Sequence, residues 1–343
     1  MGHMNDMNDM NSNTTTHRQN IGRRIAAAIG LLCAAAYLPS AMGQAYPSRP
    51  LTFVYPYPAG SSSDSAWRTI SQDLSKKLGQ PVIHENKVGA GGRVGLDFVI
   101  KSAPDGYTLG MINNVLSVWQ PLMDPRFNIE PGKDYTPIVH AIETPLMLAA
   151  KINAPFRDLK SLIAYAKANP GKLNAGSSGP GSGAHLGLAL LNYQAGIDVT
   201  HVPYKGAAPA LTSLLAGETD LFFADAGAKP HIDAGKLMAI AVGSGQRWSL
   251  VPGVPTLDEA GLPGFRNTSW TSVGGPAGIP ADVVSRLNRA FNDVLTTPEV
   301  RTKLEAAGWA IKGGTQQEFI AVIRGDTELY RPVIRAANIK LDQ

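Results

Sequence analysis

Apolar positions along the chain follow two rhythms, and one pairing of those rhythms occurs twice. A short apolar run, Leu51-Thr-Phe-Val-Tyr55, gives way to Pro56-Tyr-Pro-Ala-Gly-Ser-Ser-Ser-Asp64. Beyond it Ala66, Ile70, Leu74 and Leu78 recur four apart, with Gly79 as a stop and Pro81 after it. A recurrence of four is one face of a helix, so the spacing predicts a strand, a Ser/Gly loop and a helix from Ser65 to Leu78. The second copy is Leu173-Asn-Ala-Gly-Ser-Ser-Gly-Pro-Gly-Ser-Gly-Ala-His185, running into a helix from Leu186 to Ala195. Such a loop exposes backbone N–H groups and hydroxyls at the positive end of a helix, where an anion can sit. Two such seats without evident catalytic machinery point to a protein that grips a small acid rather than transforming it.

Strand-like and helical patterns alternate over most of the remaining length, which predicts an α/β fold with largely parallel pairing. Strands are expected at Val82-Ile83, Tyr107 to Ile112, Met147 to Ala150, Val199 to Val202, Leu221 to Ala224 and Leu237 to Val242, and a helix at Asp158 to Asn169. The tail reads as helical: Asp282 as a cap for Val283 to Leu295, Pro298 opening a further helix, and Thr315-Gln-Gln-Glu318 as a capping box before the last. These helices have no new sheet to cover, so they are expected to return to the first lobe. The chain then crosses between lobes twice, near Ala141–Met147 and Gly264–Gly274, and a cleft between lobes suits a small ligand.

Residues 1–45 read as a leader. Arg23-Arg24 precede an apolar run from Ile25 to Leu38, and the small residues Ala41, Gly43 and Ala45 suggest cleavage after Ala45. The polar stretch Met1 to Asn20 ahead of them is an N-terminal extension. Cys33, the chain's one cysteine, lies within the leader. The mature protein therefore has no disulfide, thiol nucleophile or thiolate metal site. The formal net charge of +4 is small, no Lys/Arg stripe forms and aromatics are sparse, all of which argues against nucleic acid.

Candidate site residues follow from these patterns. In the first loop they are Ala59, Gly60, Ser61, Ser62, Ser63 and Asp64; in the second, Ser177, Ser178, Gly181, Ser182 and His185. Asp64 reads as a cap at least as well as a ligand group, because its charge repels a carboxylate. His185 is placed either to offer a proton to an acid or to pack the loop. Asn113, Asn114, Tyr204, Lys205 and Asp225 follow strand ends, where side chains face a cleft. No Gly-x-Ser-x-Gly elbow occurs, the nearest being Ala175-Gly-Ser-Ser-Gly179, so a secreted serine hydrolase is the lesser alternative. Gly89-Ala-Gly-Gly92 lacks the Lys and Ser/Thr of a phosphate loop. His84, His140, His185, His201 and His231 lack metal-ligand spacing, so no cofactor or metal is expected.

The chain from Tyr46 onward resembles the solute-binding proteins of tripartite tricarboxylate transporters, the Bug receptors. The resemblance rests on Tyr46-Pro-Ser-Arg-Pro50, Pro58-Ala-Gly-Ser-Ser-Ser-Asp64, Asn86-Lys-Val-Gly-Ala-Gly-Gly92 and Ala103-Pro-Asp-Gly-Tyr-Thr-Leu109. It continues in Gly176 to Ser182 with His185, Val202-Pro-Tyr-Lys-Gly206, Gly217-Glu-Thr-Asp-Leu-Phe-Phe-Ala-Asp225 and Gly275-Pro-Ala-Gly-Ile-Pro280. It implies a monomeric periplasmic protein of the two-lobed, type II Venus-flytrap fold, each lobe a mainly parallel sheet flanked by helices. Lobe 1 would comprise residues 46–144 and 268–343, and lobe 2 residues 145–267. It further implies a non-enzymatic receptor that closes on a dicarboxylic or aromatic acid and delivers it to membrane transporter subunits; a receptor serving a signalling system is the alternative. Ser61 stands where the family usually has a second glycine, so ligand identity does not carry over.

Overall fold

The computed structural model describes residues 46–340 apart from Asn128, and the expected leader and cleavage position lie outside them. The described residues from Arg49 onward form one compact unit containing two β-sheets. Strand β1 (Leu51–Tyr55) is almost wholly buried and leads through the first Ser/Gly loop into α1 (Ser62–Leu78). The helix buries Ala66, Trp67, Ile70 and Leu74, the face that the four-residue recurrence marks, and stops at Gly79 in the left-handed conformation. Next come β2 (Val82–Asn86), α2 (Arg93–Ile100) and β3 (Thr108–Asn113). A π-helical turn over Val115–Trp119 runs into the short α3 (Gln120–Met123).

The chain then leaves this sheet along β4 (Tyr135–Pro145) and enters the other as β5 (Met147–Lys151). The second sheet continues with α4 (Leu159–Ala168), β6 (Leu173–Ser177), α5 (Gly183–Ala195), β7 (Val199–Pro203) and α6 (Ala207–Ala216). After β8 (Leu221–Ala224), the short α7 (Lys229–Asp233) and β9 (Leu237–Val242), a Pro/Gly-rich stretch leads to β10 (Thr268–Pro276), back in the first sheet. The tail holds α8 (Ala281–Thr296), α9 (Pro298–Ala306), β11 (Ala310–Ile311) and α10 (Gln316–Ala336).

The six-stranded sheet has the order β11-β4-β10-β3-β1-β2 and the five-stranded sheet β7-β6-β8-β5-β9. The expectation of mainly parallel pairing is corrected. β1–β2, β1–β3, β6–β7 and β6–β8 are parallel, whereas β4, β5 and β10 pair only antiparallel. The reason is the path between sheets: β4 carries the chain out of one sheet and β10 brings it back, so the two run in opposite directions side by side. Each Ser/Gly loop still leaves the carboxyl end of a strand with parallel neighbours, which is where open α/β sheets place ligands.

Local signals explain the helix starts. Thr315 and Glu318 make the predicted capping box, and Asp158 and Ser161 make another at α4. Asp282 is not the cap of α8; Pro280 holds that place, and Asp282 sits in the first turn, where a carboxylate still favours the positive helix end. α8 packs on α1 and β4, within the first sheet's layer, as expected of the tail. The final helix departs from that expectation, because α10 packs on both β4 and α5 and so touches both halves.

Candidate functional site

In the first loop Gly60 takes φ 93°, a left-handed value that lets the chain turn sharply out of β1. Ser61 follows in extended conformation and caps α1, its Oγ accepting the N–H of Asp64 at 3.1 Å. Asp64 reciprocates: its Oδ2 accepts the Gly60 N–H at 3.0 Å and the Arg68 Nε–H at 2.9 Å. Arg68 reaches on to Asn86, whose amide in turn bonds the Tyr57 carbonyl. Burial works to raise the Asp64 pKa, but the bonds from Arg68 and Gly60 outweigh it and hold the carboxyl below its usual value. The His84 Nε2 lies 3.2 Å from Asp64 Oδ1. Asp64 is therefore a brace turned into the protein, not a group presented to a ligand.

Three hydroxyls form a triangle in front of this brace: Tyr55 OH lies 2.7 Å from Ser61 Oγ and 2.5 Å from Ser63 Oγ, which are 3.2 Å apart. Ala59 and Ser62 are exposed, and the Ser62 hydroxyl has no partner among the described residues. Asn113 is spent on structure, donating to Tyr57 OH at 2.8 Å and accepting from the Leu116 N–H at 2.9 Å. Burial lifts the Tyr57 phenol to about 12, against the pull of Asn113, so it stays neutral. Asn114 is buried and donates to the Thr268 carbonyl at 2.7 Å, tying the end of β3 to the returning strand.

The second loop repeats the backbone plan with other side chains. Ser182 caps α5 by accepting the His185 N–H at 3.3 Å, and His185 Nδ1 accepts the N–H of Gly181, whose φ is 69°. His185 stacks on His201 from β7, ring centroids 3.7 Å apart at 7°. His201 Nε2 sits 2.6 Å from Ser177 Oγ, which also accepts the Gly179 N–H. Burial, with a smaller push from His201, lowers the His185 pKa to about 4, and burial lowers that of His201. Ser177 and His201 make the contact a serine hydrolase requires, yet Ser177 is 0% exposed, so no substrate reaches it. Tyr204 donates its backbone N–H to the Ser177 carbonyl at 3.0 Å, and Lys205 is exposed.

Of the sequence-selected residues, Ser178 and Asp225 line one cavity of about 170 Å3 together with Gly183 and Ala184 of α5, Ala207 of α6, and Thr144 and Ser269 from the crossing strands. Leu146, Phe222 and Phe223 complete its walls. Two helix N-termini thus converge there without a cationic side chain, so an anion's oxygens would meet N–H groups and hydroxyls. Asp225 accepts the Gly227 N–H through Oδ1 at 2.9 Å and presents the only carboxylate of the lining. His185 and His201 face a different cavity, of about 410 Å3, between α5, β7 and the end of α10. Ser61, Ser62 and Ser63 do not line the 170 Å3 cavity. Thr144 and Ser269 escaped sequence reasoning because a hydroxyl in a strand reads as ordinary alternation. The only signal for them is their cross-strand pairing, which the sequence does not display.

Two mixed sheets joined by a pair of antiparallel crossing strands, with a helix-terminus cavity beside the crossing, define a two-lobed solute-binding protein. Residues 66–339 match the family described as the tripartite tricarboxylate transporter family receptor, TctC, and the chain belongs to it. Its members are periplasmic binding proteins, receptors rather than enzymes. A UPF0065 protein from the tcbD-tcbE intergenic region of Pseudomonas sp. (strain P51) is 35% identical over 337 residues, 97% of this chain and 100% of the relative. A TctC solute-binding protein from Polaromonas, solved without ligand, is 30% identical over 85% of this chain and 99% of its own, with a TM-score of 0.78. Rpa4515 of R. palustris, solved with adipate, is 31% identical over 86% and 99%, TM-score 0.70. MatC of Rhodopseudomonas palustris, with bound malate, is 32% identical over 84% and 100%, TM-score 0.67. No helix among the described residues is long and apolar enough to cross a membrane.

Proposed function

We propose that the protein captures a small carboxylate in the cleft between its lobes and delivers it to the membrane subunits of a tripartite tricarboxylate-type transporter. The lobes would be residues 46–144 with 268–343, and residues 145–267. The protein would act as a monomer in the periplasm after cleavage near Ala45. The observation that carries this reading is the cavity lined by Ser178, Thr144, Ser269 and the starts of α5 and α6. At about 170 Å3 it is smaller than the ~300–1,000 Å3 typical of ligand sites, as expected of one half of a clasp. The Ser62 hydroxyl and the N–H groups opening α1 would supply the other half on closure, and adipate and malate in two relatives favour a dicarboxylate.

A hydrogen bond to a charged oxygen contributes roughly 1.5–3 kcal/mol, about ten- to 150-fold in affinity. Calorimetric titration with a panel of mono- and dicarboxylates should therefore find one acid whose affinity falls at least tenfold in Ser62→Ala and in Ser178→Ala, with unchanged melting temperature. Neither hydroxyl makes an internal hydrogen bond among the described residues, so folding should be indifferent to both substitutions. Unaltered affinity in both variants would sink the site.

A further inference from the structure

Successive residues of a strand face opposite sides of its sheet. Thr144 of β4 and Ser269 of β10 are paired in register and line the cleft cavity. Their chain neighbours Glu143 and Thr268 line a second cavity of about 560 Å3 on the reverse side. Lys312, Asp326 of α10, and Gly245 with Arg266 from the other half enclose it further. This volume lies within the range of small-molecule sites.

The charges around it are only partly matched. Lys312 Nζ holds Glu143 Oε1 at 2.9 Å. Asp326 Oδ2 accepts the indole N–H of Trp270 at 2.7 Å, while Oδ1 has no partner among the described residues. Arg266 lies close enough to pull the Asp326 pKa down, yet its guanidinium makes no hydrogen bond or ion pair among the described residues. Gly245 permits its position: a Cβ there would come 1.8 Å from Arg266 Nη1. His140 is 6% exposed and lines the cavity, and its Nε2 is buried without a partner. Burial, aided by Lys312, lowers the His140 pKa to about 3, so the ring is neutral. Burial and Glu143 lift Asp326 to about 6 against the Trp270 bond and Arg266, leaving it mainly a carboxylate at neutral pH.

A guanidinium and a carboxylate thus face one cavity without meeting. A lone anion entering it would meet Glu143, Glu318 and Asp326; a lone cation would meet Arg266 and Lys312. We propose that this cavity is a second binding site, for a small zwitterion whose ammonium faces Asp326 and whose carboxylate faces Arg266. The His140 imidazole packs behind this lining, its Nε2 3.9 Å from Glu143 Oε2.

Glycine, β-alanine and γ-aminobutyrate offer three charge separations, and acetate and methylammonium serve as single-charge controls. Isothermal titration calorimetry of the full chain at neutral pH should find at least one zwitterion that binds, with both controls weaker by about tenfold or more. Asp326→Asn and Gly245→Ala should each weaken the zwitterion by a similar factor, while Ser178→Ala leaves it unchanged. Gly245→Ala displaces only the tip of a flexible side chain and removes no charge, so it reads the site even where Asp326→Asn disturbs folding. The proposal is overturned if no zwitterion binds or if a control binds equally well. Binding that survives Gly245→Ala overturns it too, as does loss in Ser178→Ala, which would move the ligand to the cleft.

Discussion

Ser61 and Ser182 do the same work on two helices, but the side chains behind them are of opposite kinds. Each stands extended before its helix and accepts the N–H three residues on, from Asp64 or His185. Each of those third residues returns a bond to the glycine ahead of the cap, Gly60 or Gly181. Each is then met by a histidine from the next parallel strand, His84 on β2 or His201 on β7. In the first loop the returning group is a carboxylate fixed by Arg68; in the second it is a neutral imidazole stacked on another. The backbone geometry of a helix-start seat is therefore separable from the charge that braces it. The two halves of the proposed clasp should answer differently to mutation and to acid.

The largest expected effect lies in the charged brace. Asp64→Ala strands the Gly60 N–H and leaves His84 without its neighbouring carboxylate, and should cost about 2–3 kcal/mol of stability, read by urea denaturation. Acid should separate the loops next. The His185 pKa falls from 6.5 unfolded to about 4 folded, so below pH 6.5 the unfolded chain takes up a proton that the folded one refuses. Stability is full above 6.5 and declines as pH drops toward 4. Asp64 is depressed from 3.8, so its contribution persists through that window and fades only below it. Hydrogen exchange should accordingly show Gly181 losing protection between pH 6.5 and 4 while Gly60 keeps it, and His185→Phe should make the pH profile of the melting temperature shallower, with His140 retaining its own share of the slope. The smallest effect is in the caps themselves. Ser182→Ala should cost ~1 kcal/mol in the same denaturation assay, and Ser61→Ala somewhat more because the Tyr55–Ser63 hydroxyl triangle opens with it. Equal losses at the two caps would show that the triangle adds nothing.

The sequence carried local information well and long-range information poorly. The helical face of α1, the presence of α4, the stop at Gly79 and the capping box at Thr315 rest on residues within a few positions of one another, and all were legible. Both site helices begin three residues earlier than their apolar spacing implied, because Ser61 and Ser182 cap them before the first buried position. What sets the braces was not legible: Asn86 and His201 come from the strand beyond, and only parallel pairing brings them home. The same holds for Thr144 and Ser269, supplied by strands far apart in the chain. The sequence left His185 two roles, offering a proton to an acid or packing the loop. In the fold its Nδ1 accepts the Gly181 N–H and its ring stacks on His201, lining the cavity beside α10.

The crossing strands present different side chains to the cavities on their two sides. Thr144 and Ser269 line one chamber and their chain neighbours Glu143 and Thr268 the other, so one pair of strands is a wall of both. Slipping β4 by a single residue would exchange the Thr144 hydroxyl for the Glu143 carboxylate on both faces at once, whereas β10 offers a hydroxyl to each side, Ser269 and Thr268. The register of β4 thus sets which chamber receives the carboxylate and which the hydroxyl, and a shift cannot change one without the other.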